Sequence, residues 1–129
     1  MSSHIHQVVQ FDASPMAVYH AIMNSDEFSA FSHSPALIDA RAGGEFSMFD
    51  GQIVGRAVEL IAGERIIQAW RVAGWDPGVY SLVRFSLQGS ATSTELTFDQ
   101  SGHPLEAQSE LEGGWHAMYW NPLREYLSS

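Results

Sequence analysis

The feature that most constrains this chain is a late change in its hydrophobic period. Val79, Ser81, Val83, Phe85 and Leu87 occupy every second position, so they share one face of a strand. From Pro104 onward, Leu105, Leu111, Trp115, Met118, Tyr119, Leu123 and Tyr126 recur at three, four or multiples of these. That is the stripe of a helix of roughly twenty residues. Gly113 and Gly114 weaken its middle by about 1 kcal/mol each relative to alanine, and Pro122 should bend it. A chain of 129 residues makes one domain, spanning 1–129, with one core. The strands and the helix must therefore cover each other.

The elements before the switch fill in the architecture. Ile5 to Phe11 reads as a strand with Val9 and Phe11 on one face. Ser14 and Pro15 have the chemistry of an N-cap and first helical position, and the helix that follows carries Val18, Tyr19 and Ile22. Ser25 is expected to cap a second short helix with Phe28 and Phe31 on one side. Strands are then predicted over Ala36 to Arg41, Glu45 to Asp50, Gln52 to Ile61, Arg65 to Val72, Val79 to Gln88 and Thr94 to Asp99. Their short glycine-containing connections imply an antiparallel meander. Such a sheet has one apolar face to cover, and the C-terminal helix is the only element large enough. The expected fold is α+β, a helix-grip arrangement: a curved antiparallel sheet of six or seven strands wrapped on a long C-terminal helix, with two short helices after the first strand.

Charge and composition remove whole classes of function. There are 15 acidic residues and six basic ones, a net charge of -9, and every basic residue is an arginine. Without lysine there is no Schiff-base chemistry. Nucleic acid and anionic membrane surfaces both need a cationic footprint, so neither is expected as a partner. Cysteine is absent, which excludes disulfides, thiolate nucleophiles and thiolate-bound metal. The opening MSSHIHQ lacks the basic and apolar regions of a signal peptide, and no apolar run reaches membrane-spanning length. A cytoplasmic protein is the expectation. His4 and His6 share a strand face, but no histidine spacing supplies the three or four convergent ligands of a metal site. No metal and no cofactor are expected, and no nucleophile elbow or phosphate loop occurs.

Aromatic residues make up 12% of the chain, and many fall on faces expected to point inward. A curved sheet on one helix often encloses a cavity, the default place for a ligand. The residues expected to line it from the small helices and first strands are Phe28, Phe31, His33, Phe46 and Met48. Gln68, Trp70, Ser81 and Val83 would line it from the later strands, and Trp115, Met118 and Tyr119 from the helix. His33, Gln68, Ser81 and Tyr119 would orient the ligand. His33, beside Asp39 or Glu45, is the one candidate for acid–base catalysis. Arg71 should point away from Trp70. Arg56 is ambiguous; if it points inward it needs Glu45, Glu59 or a ligand as partner.

An ordered series of short motifs carries a resemblance. Ala42-Gly43-Gly44-Glu45-Phe46-Ser47-Met48-Phe49-Asp50-Gly51 is followed by Ile53 and Gly55. Glu64-Arg65-Ile66-Ile67-Gln68-Ala69-Trp70-Arg71, Trp75 and Tyr80-Ser81 come next. Thr94-Glu95-Leu96, Gly102-His103-Pro104, Gly114-Trp115, Tyr119-Trp120 and Pro122-Leu123 complete it. In this order the set resembles the homologues of the activator of the ninety-kilodalton heat-shock-protein ATPase, within the START-like superfamily, which includes the birch-pollen-allergen fold and polyketide cyclases. The similarity runs from about Ile5 to Leu127 and is greatest to the C-terminal domain of the eukaryotic co-chaperone. It implies the helix-grip fold. For function it implies an apolar small molecule in the cavity, as in the wider superfamily, or contact with a ninety-kilodalton chaperone. A cyclase or hydrolase acting on a bound substrate is a third possibility, with binding expected ahead of catalysis.

Overall fold

The computed structural model describes residues 3–128. A seven-stranded sheet is formed by β1 (His4–Phe11), β2 (Leu37–Ile38), β3 (Glu45–Met48), β4 (Ile53–Ile61), β5 (Arg65–Val72), β6 (Ser81–Gly89) and β7 (Thr94–Ser101). The order across it is β1-β7-β6-β5-β4-β3-β2, and every neighbouring pair is antiparallel. Strands β2 to β7 are thus the expected meander, with β1 beside its last strand. The two edges are consecutive in sequence, so α1 (Pro15–Met23) and α2 (Ser25–Ser32) carry the chain from one edge to the other. A register shift between Ala57 and Glu59 marks a bulge in β4, which leaves Val58 exposed and bends the strand.

Local chemistry explains the helix boundaries. The Ser14 hydroxyl accepts from the Ala17 N–H at 3.2 Å, and Pro15 opens α1. The cap of α2 is Asn24, whose side chain accepts from the Glu27 N–H at 3.0 Å; the expected cap, Ser25, lies inside the helix. Ser25 has a different task. Its hydroxyl accepts from the Ile38 N–H at 2.8 Å and donates to the Ile38 carbonyl at 3.4 Å. One turn on, Ser29 treats Ala36 the same way, at 3.0 and 3.5 Å. Ala36 and Ile38 present the backbone groups that β3 does not use. Two hydroxyls four residues apart on α2 therefore stand in for a neighbouring strand. The strand expected over Ala36 to Arg41 shortens to two residues, because Arg41 N–H turns back to the Asp39 carbonyl at 2.8 Å and begins the turn.

The C-terminal segment is helical from Leu105 to Leu127 but not uniformly so. A tight opening turn (Leu105–Ala107) leads into α3 (Gln108–Gly114). A widened π-type turn (Trp115–Trp120) follows, and α4 (Asn121–Leu127) ends the helix. In the wide turn the Asn121 N–H reaches back five residues to the His116 carbonyl. It sits immediately before Pro122, which has no N–H for the Met118 carbonyl and crowds it, so the irregularity has the cause expected from sequence. Its effect on direction is larger than a bend. Regular α spacing from Trp115 would send positions three and four residues on inward. The wide turn sends the fourth and fifth, so Tyr119 and Trp120 are buried while Met118 is 49% exposed.

The core lies between this helix and the inner sheet face. Trp115 packs on Phe98 at 4.1 Å between ring centroids and on Tyr119 at 4.3 Å. Trp120 packs on Phe98 at 5.4 Å and Phe85 at 6.2 Å. Both indole N–H groups are satisfied by inward glutamines: Trp115 donates to Gln100 at 2.8 Å and Trp120 to Gln7 at 2.7 Å. Replacing Ser25 or Ser29 with alanine leaves partly buried edge groups unpaired, at a cost of about 1 kcal/mol each. The expected result is a lower urea midpoint and faster amide exchange at Ile38 or Ala36 respectively, with the β5 and β6 amides unchanged.

Candidate functional site

The space between sheet and helix is filled by side chains. Phe28, Met48, Gln68, Ser81 and Val83 are all at most 2% exposed and lie in the packed interior. Ser81 is fully engaged, donating to the Trp70 carbonyl at 2.8 Å and accepting from Gln100 at 3.0 Å. Gln68 and Tyr119 are less well served. Gln68 directs its amide N–H at the Met23 sulfur, 3.7 Å away, and its carbonyl oxygen has no partner among the described residues. The Tyr119 hydroxyl accepts from the Trp70 indole at 3.5 Å and faces the Met48 sulfur at 3.9 Å. Burial pushes the Tyr119 hydroxyl pKa far above its ordinary value, the Trp70 bond opposing only weakly, so it stays a neutral hydroxyl.

Where helix and sheet part, an open cleft of about 220 Å³ remains. Its floor consists of Phe49, Trp70, Trp115 and Tyr119, all buried, with Ile53, Val72 and Leu111 beside them. Gln52, Glu110 and Met118 are exposed and form its mouth. Four of the residues expected in a cavity meet here: Trp70, Trp115, Met118 and Tyr119. The others lie elsewhere. Phe31 and His33 line a groove of about 480 Å³ between α2 and the C-terminal helix, and Phe46 lines a broad groove at the β2–β3 edge. His33 ends α2 in the left-handed region (φ 56°) and is exposed. Among the described residues no carboxylate bonds to it. Asp39 is paired with Arg41 at 2.9 Å and Glu45 with Arg56 at 2.6 Å.

Phe49, Gln52, Ile53, Val72, Glu110, Leu111 and Gly114 were not anticipated at the cleft. Phe49 enters because residues 49–51 all adopt the left-handed conformation (φ 54°, 57° and 86°), which turns its ring inward against Phe28 and Tyr119 at the end of β3. Gly114 did carry a signal. A glycine pair inside a helical period is unfavourable unless something requires it, and a Cβ at Gly113 or Gly114 would meet nothing within 4 Å.

Charge is segregated around this scaffold. Arg56, Arg65, Arg71 and Arg84 lie on the outer sheet face. Arg65 pairs with Glu59 at 2.5 Å and Arg84 with Asp99 at 3.3 Å. Arg71 points away from Trp70, as expected, and donates to the carbonyls of Trp75, Asp76 and Val79. Arg56 is also outward. His4 and His6 turn to one Asp99 oxygen, at 3.1 and 2.8 Å. Burial alone would raise the Asp99 pKa, but the bonds from His6, His4 and Arg84 outweigh it and hold the carboxyl below the usual range. The helical segments carry Asp26, Glu27, Glu106, Glu110, Glu112 and Glu125 against one arginine, Arg124.

A curved antiparallel sheet closed on its C-terminal helix, with two short helices bridging its edges, defines a helix-grip protein. The chain belongs to the family described as activator of Hsp90 ATPase homolog 1-like protein, whose family model matches residues 12–128. It is 30% identical over 123 residues to the mouse activator of 90 kDa heat shock protein ATPase homolog 2, covering 95% of this chain and 37% of that one. It is 27% identical over 115 residues to the human homolog 1, covering 89% and 34%. The chain thus spans about a third of the length of these relatives. Among solved structures, an HSP90 activator from Plasmodium falciparum superposes with a TM-score of 0.93 at 20% identity, covering 98% of this chain and 96% of that one. Among the described residues no helix is long and apolar enough to cross a membrane.

Gly113→Ala and Gly114→Ala should each raise stability by about 1 kcal/mol, since both backbones are helical and both sites open. Thermal unfolding reads this directly. A fall in the midpoint for either variant would contradict the open-space account of these glycines.

Proposed function

We propose that this domain is a docking module for a 90 kDa heat-shock chaperone. The observation that carries the reading is the family match across nearly the whole chain, to relatives described as activators of that chaperone's ATPase. The packing supports it: Trp115, Tyr119, Trp120, Phe85 and Phe98 occupy the volume that a deep ligand cavity would need. Calorimetric titration of the host's 90 kDa chaperone, paired with its ATPase rate, tests the proposal. Micromolar binding is expected, with stimulation as the stronger outcome. Neither binding nor stimulation at tens of micromolar protein would remove it.

The cleft favours a second reading, in which a small apolar molecule binds between Trp70, Trp115, Tyr119 and Met118. Burial of apolar surface, at about 25 cal/mol per Å², would supply most of the affinity. Native mass spectrometry of the purified protein should then show a retained or added ligand in place, lost when Trp70 is shortened to leucine.

A further inference from the structure

We infer that the cleft beside Gly114 accepts an organic cation with an apolar stem, the alkylammonium chemistry that a lysine side chain presents. The inference rests on the cleft taking a ligand at all, and goes beyond that by assigning the ligand's chemistry.

Three observations point the same way. The floor is aromatic and aliphatic, yet the mouth holds a carboxylate, Glu110, the only charged group lining the cleft among the described residues. Among the described residues nothing hydrogen-bonds or ion-pairs with the Glu110 carboxylate, whereas four arginines elsewhere have carboxylate partners. A neutral apolar ligand would leave this charge unused, and an anion would be repelled by it. A stem buried on the floor with a cationic head at the mouth matches both parts, as long cationic side chains do at apolar surfaces.

Among the described residues no arginine is free to fill the site. It contains no lysine. Arg41, Arg56, Arg65 and Arg84 are paired with carboxylates, and Arg71 holds the loop after β5. Arg124 donates to the Gln10 carbonyl and the Asn121 side chain. The surrounding helical segments are acidic, which raises the local concentration of cations and steers them to this face. Size agrees as well. At water's share of volume, about 220 Å³ holds about seven non-hydrogen atoms, a short alkyl chain and its head. Gly114 keeps the helix side of the cleft free of a side chain.

The test is titration of n-hexylammonium and of 1-hexanol, equal in length but uncharged, followed by the indole N–H resonances. Trp70 and Trp115 should shift saturably, while Trp120, bonded to Gln7 outside the cleft lining, should stay in place. The ammonium should bind about two- to five-fold more tightly than the alcohol, the worth of one exposed ion pair. Glu110→Gln should bring that ratio near one, and Glu112→Gln, outside the cleft lining, should leave it intact. Equal binding of the two probes, or a ratio indifferent to Glu110→Gln, overturns the inference and leaves the apolar-ligand reading standing. No shift with either probe overturns both. Short peptides carrying one lysine or one acetyl-lysine then identify the source. Shifts from the lysine peptide alone assign the site to a partner's lysine, and shifts confined to hexylammonium assign it to a small amine.

Discussion

The wide turn at Trp115–Trp120 is the constraint on which the rest of the molecule depends. It puts Trp115, Tyr119 and Trp120 on one inward arc, so a single turn of helix contributes three large rings to the core. Rings that bury this much area dominate the energetics of a small domain. Tryptophan also brings an N–H that cannot be left unpaired in a dry interior. Gln100 on β7 and Gln7 on β1 answer the two indoles from adjacent strands. Those bonds tie the helix to one position along the sheet, a register that apolar contact alone would not specify.

The fold was legible in the sequence because its two periods are clean. The alternation along β6 and the three-to-four spacing after Pro104 assign the layers without reference to any one residue. What escaped the sequence depends on small departures from ideal geometry. Met118 falls on the predicted inward stripe and Trp120 off it because helical spacing assumes 3.6 residues per turn, and Pro122 changes that locally. Ser25 has the composition of a cap, but Asn24 precedes it and takes the task, leaving the hydroxyl to a partner thirteen residues away in sequence. The candidate site was legible only in part. Trp70, Trp115, Met118 and Tyr119 meet at the cleft. Phe28 and Val83 have the same inward pattern but belong to the core, since periodicity separates inside from outside and not a filled interior from an empty one.

The cleft between helix and sheet is lined by residues whose geometry is unusual for a packed interior. The glycine pair carries no side chain, Phe49 reaches the cleft through three left-handed residues, and the hydroxyl of Tyr119 is satisfied only by a long bond and a sulfur. Each departs from what a purely structural interior would select. Together they mark one end of the helix–sheet interface, while the Trp120 end is closed and fully bonded.

The two serines of α2 have a consequence for how copies of this protein meet. A sheet edge offers its unpaired backbone to any passing strand, and proteins commonly discourage this with lysine or proline at the edge. This chain has no lysine, and β2 contains no proline. Ser25 and Ser29 already occupy the donors and acceptors of Ile38 and Ala36. The edge is neutralised from within, without spending a charge and without disturbing the strand. The sheet therefore offers no free backbone template at Ala36 and Ile38, and two hydroxyl groups disfavour strand addition on that side.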